Sequence, residues 1–188
     1  MKARILVLLL FLVATAAVAA QQPADTAAIK TELLAIHDRD QKTRTGRDSA
    51  TFADYIDSCN LVQIEKLIAE YGWPGKSFVG ASGNQTVFLV IQHAELETQE
   101  KYLPLMQKSV EEGESQMTDF ALLQDRVLMR QGKKQIYGSQ VVYGKDGSPE
   151  FYPIDDEKNV NFRRAKIGLQ PIEEYAKFFG IDYKLPEK

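Results

Sequence analysis

The sequence is short of the residues on which many common chemistries depend. It has one cysteine, Cys59, which excludes a disulfide scaffold within a single chain and any Cys-x-x-Cys redox or metal motif. It has two histidines, His37 and His93, too few for a His-rich metal centre. Basic charge is not in excess: 23 Lys plus Arg stand against 26 Asp plus Glu, a net charge of -3. That balance argues against wholesale nucleic-acid binding. There is no Gly-x-Ser-x-Gly elbow, no Walker loop and no His-Glu-x-x-His. Apolar runs long enough to make a multi-span membrane protein are missing. Internal repeats, low-complexity tracts and long linkers are missing too. The expectation is a protein with no cofactor and no metal.

What remains is globular in composition, with 44% hydrophobic and 26% charged residues over 188 positions. The first twenty residues read as a secretory signal peptide. Lys2 and Arg4 are followed by the apolar run Ile5 to Val13 and then by small residues up to Ala20. The run is shorter than the roughly 20 residues that span a bilayer. Residues 1–20 are therefore expected to be removed and 21–188 to form one exported globular domain, periplasmic or secreted. No stable membrane insertion is expected after cleavage. An unpaired cysteine in an oxidising compartment is usually buried, and Cys59 is read so.

Hydrophobic spacing predicts mostly helices. Ile29, Leu33 and Ile36 give a stripe for a helix over Ala27 to Arg44. Thr45 to Ser58 reads as polar and irregular, with at most a turn around Phe52 and Tyr55. Asn60 and Gln63 have the spacing of a capping box, ahead of Leu61, Ile64, Leu67, Ile68 and Tyr71. Gly72 ends that helix before the Trp73-Pro74-Gly75 turn. A third helix, capped by Ser82, contains Val87 to Ile91 and is apolar all round, so it is expected at the centre. Helices over Thr98 to Glu112 and Thr118 to Arg130 follow, with Pro104 limiting or kinking the first. The period then drops from 3.6 to 2. Gln135 to Tyr143 reads as a strand, Gly144 to Gly147 as a hairpin turn and Phe151 to Ile154 as the return strand. A short helix over Asn159 to Lys166 and a last one from Pro171 to Phe179 complete the chain. The fold class is mainly α (α+β), a helical bundle with a small C-terminal antiparallel hairpin.

Polar residues in apolar positions mark the candidate site. His93 follows the apolar run and shares a face with Leu89 and Val90, as a general acid or base would. Gln92 precedes it. Asp40 continues the first helix's apolar stripe, and Arg44 stands four residues on, the spacing of an ion pair. Asp125 and Arg126 interrupt Leu122, Leu123, Val127 and Leu128. An arginine buried there must meet a carboxylate or bind an anion. On the predicted strand, Gln135, Tyr137 and Ser139 share one face and Gln140 the other, with Gly138 permitting close approach. Arg163 and Arg164 stand adjacent, so a helix would aim at most one of them into a site. Trp73 is read as a packing anchor. Asn84-Gln85-Thr86 spells a glycosylation sequon at a predicted helix start.

Taken in order, Asp40-Gln41-x-x-Arg44, Gly72-Trp73-Pro74, Gln92-His93-Ala94, Asp125-Arg126, Gln135-x-Tyr137-Gly138-Ser139-Gln140 and Arg163-Arg164-x-x-x-Gly168-Leu169 resemble a bacterial domain family of unknown function often found in exported proteins. The likeness runs from about Leu33 to Tyr175. Ser139 stands where that family usually has threonine, and both carry a hydroxyl. The resemblance implies one constellation of residues and no particular reaction.

Three functions fit these residues. In a hydrolase or transferase, His93 is the acid/base, oriented by Asp40 or Asp125. Arg126 or Arg164 holds an anionic group, Gln135, Tyr137 and Gln140 bind polar substrate atoms, and Arg44 and Gln92 complete the site. With no convincing nucleophile, water would attack. In a binding module the same residues hold a small molecule or peptide without chemistry. In a structural domain they form a satisfied internal network.

Overall fold

A computed structural model describes residues 25–45 and 50–186. The expected signal peptide lies outside the described residues. Among the described residues the chain is 68% helical, with seven α-helices and one two-stranded antiparallel sheet near the C-terminus. The order is α1 (Thr26–Thr45), α2 (Ala50–Tyr71), α3 (Lys76–His93), α4 (Leu96–Glu111), α5 (Met117–Arg130), β1 (Val141–Tyr143), β2 (Pro149–Phe151), α6 (Val160–Lys166) and α7 (Ile172–Ala176).

The apolar helix α3 lies at the centre, as its all-round hydrophobicity requires. It touches α1, α2, α4 and α5. Val87, Phe88, Val90 and Ile91 are all buried there, against Leu33 and Ile36 of α1, Ile64 of α2, Met106 of α4 and Leu123 of α5. The helix is broken at Gly80, whose φ of 79° and ψ of 166° are open to a residue without Cβ. Lys76 to Val79 thus form a separate first turn.

The polar stretch before Cys59 is helical rather than irregular, because α2 begins at least as early as Ala50. Asn60 is consequently not a cap. It is a fully buried residue inside α2, and its Oδ1 accepts a hydrogen bond from Arg39 Nε at 3.2 Å. Cys59 is partly buried within the same helix. Pro104 lies inside α4 rather than at its start. Trp73 does anchor packing, donating from Nε1 to Ser115 Oγ at 3.0 Å. Asn84 is buried and donates to Pro74 O and Ser115 Oγ, so the sequon is an internal structural element.

The long strand predicted over Gln135 to Tyr143 shrinks to three residues. Val141 pairs with Phe151 and Tyr143 with Pro149. Gln135 makes only an isolated bridge to Ile154. Between them Gly138 takes a φ of +68°, which breaks an extended strand. A Cβ there would sit 2.5 Å from Ile172 Cδ1 and 2.9 Å from Ile154 Cδ1. Ile154, Val160 and Ile172 form a small second apolar cluster under this segment. Among the described residues, no helix is long and apolar enough to cross a membrane.

Candidate functional site

The clearest polar constellation lies where the C-terminal ends of α1 and α3 meet the first half of α2. Asp40 continues the stripe of Leu33 and Ile36 and is 1% exposed. Its Oδ1 is 3.0 Å from His93 Nδ1. Gln41 Nε2 donates to Oδ2 at 2.9 Å, and Arg44 Nη2 lies 3.4 Å from Oδ1. The same Arg44 nitrogen donates to Asp57 Oδ1 at 2.6 Å. Burial pushes the Asp40 carboxyl up, but the hydrogen bond and charge of His93, the charge of Arg44 and the Gln41 amide hold it below the ordinary value. Asp40 is then an ionised, acceptor-only group. Its Oδ1 can only accept, so Nδ1 is the donor in this pair, and in the neutral imidazole Nε2 is the nitrogen without a proton.

His93 Nε2 has no partner among the described residues. The His93 side chain is 19% exposed and lines a cleft of about 170 Å³. One wall carries Asp54, Asp57, Ser58 and Leu61 of α2, spaced i, i+3, i+4 and i+7 on one helix face. Val90, Ala94 and Glu95 complete it. Asp57 was missed in the sequence because the polar stretch was read as irregular. A helix through it would have put all four residues in register.

Asp40, Asp57 and His93 each offer one ligand atom, within 4.8 Å of one another, and are the residues that could hold a metal. Arg44 bridges both carboxylates, so a guanidinium already supplies positive charge in that triangle. A cation would have to displace it.

Asp125 does not join His93. It is fully buried, and its two oxygens accept hydrogen bonds from the backbone N–H groups of Ile136, Tyr137 and Ser139 and from Ser139 Oγ, at 2.7 to 3.1 Å. Burial pushes its carboxyl up against these four donors. Gln135, also fully buried, acts like a piece of backbone. Its amide donates to Gln140 O and Tyr152 O and accepts from Gln140 N. Tyr137 contributes its backbone: N–H to Asp125 and C=O to Arg164 Nη1 at 2.7 Å. Arg164, 1% exposed, also donates from Nε to Gln170 O, while Arg163 holds Ile136 O, Asp155 O and Asp156 O. Arg164 is thus the one of the adjacent pair that turns inward.

Among the described residues, Arg126 meets no carboxylate. Its Nη1 donates to Gln92 O at 3.0 Å and its Nε to Gln140 Oε1 at 3.2 Å. Gln140 in turn donates to Leu122 O and Ser139 Oγ. Gln92 is buried and serves through its carbonyl, which also accepts from Gln99 Nε2. Arg130 Nη1 donates to Ala94 O at 2.7 Å. The two arginines therefore cap the C-terminal end of α3, where His93 sits. Arg130 was also missed in the sequence, because it looks like an ordinary last-turn cation.

The chain belongs to a family of unknown function (DUF6624), whose model matches residues 27–188. No curated protein and no solved structure matches the chain.

Proposed function

We propose that this protein is an exported acid–base enzyme, a hydrolase or transferase, with His93 as its general acid/base and Asp40 as the group that orients it. The observation that carries this reading is the His93–Asp40 pair. Nδ1 is held by a buried ionised carboxylate at 3.0 Å, and Nε2 is left unpartnered on a cleft wall. Nε2 accepts a proton from water, or from an acceptor hydroxyl, as that oxygen attacks the substrate. It then returns the proton to the leaving group. Arg44, itself held by Asp57, bonds the same Asp40 oxygen as His93, and Gln41 holds the other oxygen. The charged N-terminus and short apolar run before Ala20 support export, as one domain over 21–188.

The Asp125 and Gln135 network supports a different role for that part of the constellation. Its donors and acceptors are largely spent on backbone groups, which is how a structural network is recognised.

The test is a panel of chromogenic carboxylic esters, phosphate esters and glycosides, assayed with the wild type, His93→Gln and Asp40→Asn. General acid/base catalysis contributes about 100- to 10,000-fold. Turnover by the wild type that falls by about that factor in His93→Gln, with the fold intact, supports the reading. Turnover unchanged in His93→Gln, or no turnover by the wild type on any class, overturns it.

A further inference from the structure

The charge around Arg126 does not balance. Its guanidinium is partly buried between α3, α5 and the loop ahead of β1, and among the described residues no carboxylate lies within salt-bridge distance. Burial and the neighbouring positive charges of Arg130 and Arg44 push its pKa down, and only Tyr175 acts in the opposite sense. The C-terminal end of α3 offsets roughly half an elementary charge. Arg126 and Arg130 bring two charges to that end. Arg130 is exposed and solvated, so about half a charge on Arg126 is left without a counter-charge.

Arg126 is linked to a second guanidinium, that of Arg164, through Gln140, Ser139 and Tyr175. Arg126 Nη2 has no partner among the described residues, while its Nε and Nη1 are locked in place. Arg164 repeats the pattern, with Nε and Nη1 spent on Gln170 O and Tyr137 O and Nη2 unpartnered among the described residues. Its guanidinium carbon lies 4.9 Å from the centre of the Tyr175 ring. The Tyr175 hydroxyl donates to Ser139 O at 3.1 Å and lies within electrostatic reach of both arginines. Ser139 adjoins Gln140, the residue that holds Arg126. Two guanidiniums fixed by two bonds each, with one arm free, resemble anion-recognition groups more than solvated surface charges.

We propose that Arg126, with Arg164 and Tyr175 beside it, forms an anion subsite that takes a phosphate or carboxylate group of the ligand handled at His93. The link to His93 is the hydrogen bond from Arg126 to Gln92 O, one residue away in the chain. The subsite gives the substrate class, an anionic one. It rests on the acid–base reading for its chemistry and not for its binding.

The test titrates the wild-type protein with inorganic phosphate and, separately, acetate, against chloride at matched ionic strength. The Arg126 Nε–H resonance and calorimetry are the readouts. Saturable binding that moves the Arg126 Nε–H signal is expected, tighter for phosphate if the substrate is a phosphoryl compound and tighter for acetate if it is a carboxylate. Arg126→Gln should weaken binding by about tenfold or more, since charge-assisted bonds are the strong ones. Gln140→Leu, which frees the guanidinium without removing it, should weaken binding less. His93→Gln should bind as the wild type does, so a failed acid–base reading leaves this result standing. Absence of saturable binding in the wild type, or binding that leaves the Arg126 signal unmoved, overturns the proposal. Equal affinity in Arg126→Gln overturns it as well.

Discussion

Replacing Asp125 by alanine removes the acceptor for three backbone N–H groups and one hydroxyl at once. Ser139 is buried, while Ile136 and Tyr137 are partly so. A buried donor left without an acceptor costs about 1–3 kcal/mol, and a partly exposed one sits at the low end because water reaches it. The three amides together give about 4 kcal/mol. Losing a carboxylate that burial disfavours returns roughly 1 kcal/mol, which leaves a net loss of about 3 kcal/mol. In a chain of this size that lowers the melting temperature by about 6–12 °C. Asp125→Asn keeps one acceptor oxygen but turns an NH2 towards the remaining amides, so it should lose about half as much. The assay is thermal unfolding followed by circular dichroism, with the Ser139 and Tyr137 amide resonances as local reporters. A midpoint within about 2 °C of the wild type for Asp125→Ala would refute the reasoning. It would mean that the 136–139 loop takes its shape from somewhere other than this carboxylate.

Three further outcomes are expected. Asp40 has a folded pKa below its unfolded value of about 3.9, so its stabilising contribution is complete above that pH and is lost as pH falls through the lower folded value. Acid unfolding of Asp40→Asn should therefore show a shallower loss of stability below about pH 4 than the wild type, and an identical slope would contradict this. His93→Gln should shift the melting temperature by less than about 4 °C, because Asp40 keeps Arg44 and Gln41 as partners. A drop of about 10 °C or more would make His93 a structural residue instead. Gly138→Ala combines a positive φ with a Cβ 2.5 Å from Ile172 Cδ1. Overpacking of this kind costs about 1–3 kcal/mol, and a melting curve matching the wild type would show that α7 moves aside freely.

The helices whose apolar residues face the core were legible in the sequence. In α1, α4 and α5 the spacing placed the boundaries within a residue or two of those observed. The first half of α2 was not legible, because Asp54, Asp57 and Ser58 face a cleft and leave no hydrophobic stripe to detect. The strand was overextended for a related reason. Polar residues alternate over Gln135 to Gln140 because Gln135 and Gln140 clamp backbone and an arginine, not because a sheet has two faces. Asp40 and His93 were each visible as polar groups in apolar positions. Their pairing was one of two options, since nothing in a sequence says that α1 rather than α5 offers its carboxylate to α3. Asp125 drew attention for the right property, burial, and its partners turned out to be backbone amides that carry no letter in a sequence.

The chain after Arg130 is held by side chains standing in for a sheet. Its own apolar cluster, Ile154, Val160 and Ile172, is small beside the core of the helices. Asp125 gathers one loop, Gln135 ties that loop to Tyr152, and Arg164 ties it to the turn before α7. Arg163, Tyr175 and Gln140 add further ties, to Ile136 O, Ser139 O and Leu122 O, so the ties act together. The C-terminal third therefore keeps its shape through bonds that mostly end on a side chain, and local opening there has to break several of them at once. Because Gln140 in that segment holds Arg126 Nε, loss of those ties also removes one of the two bonds that fix the Arg126 guanidinium.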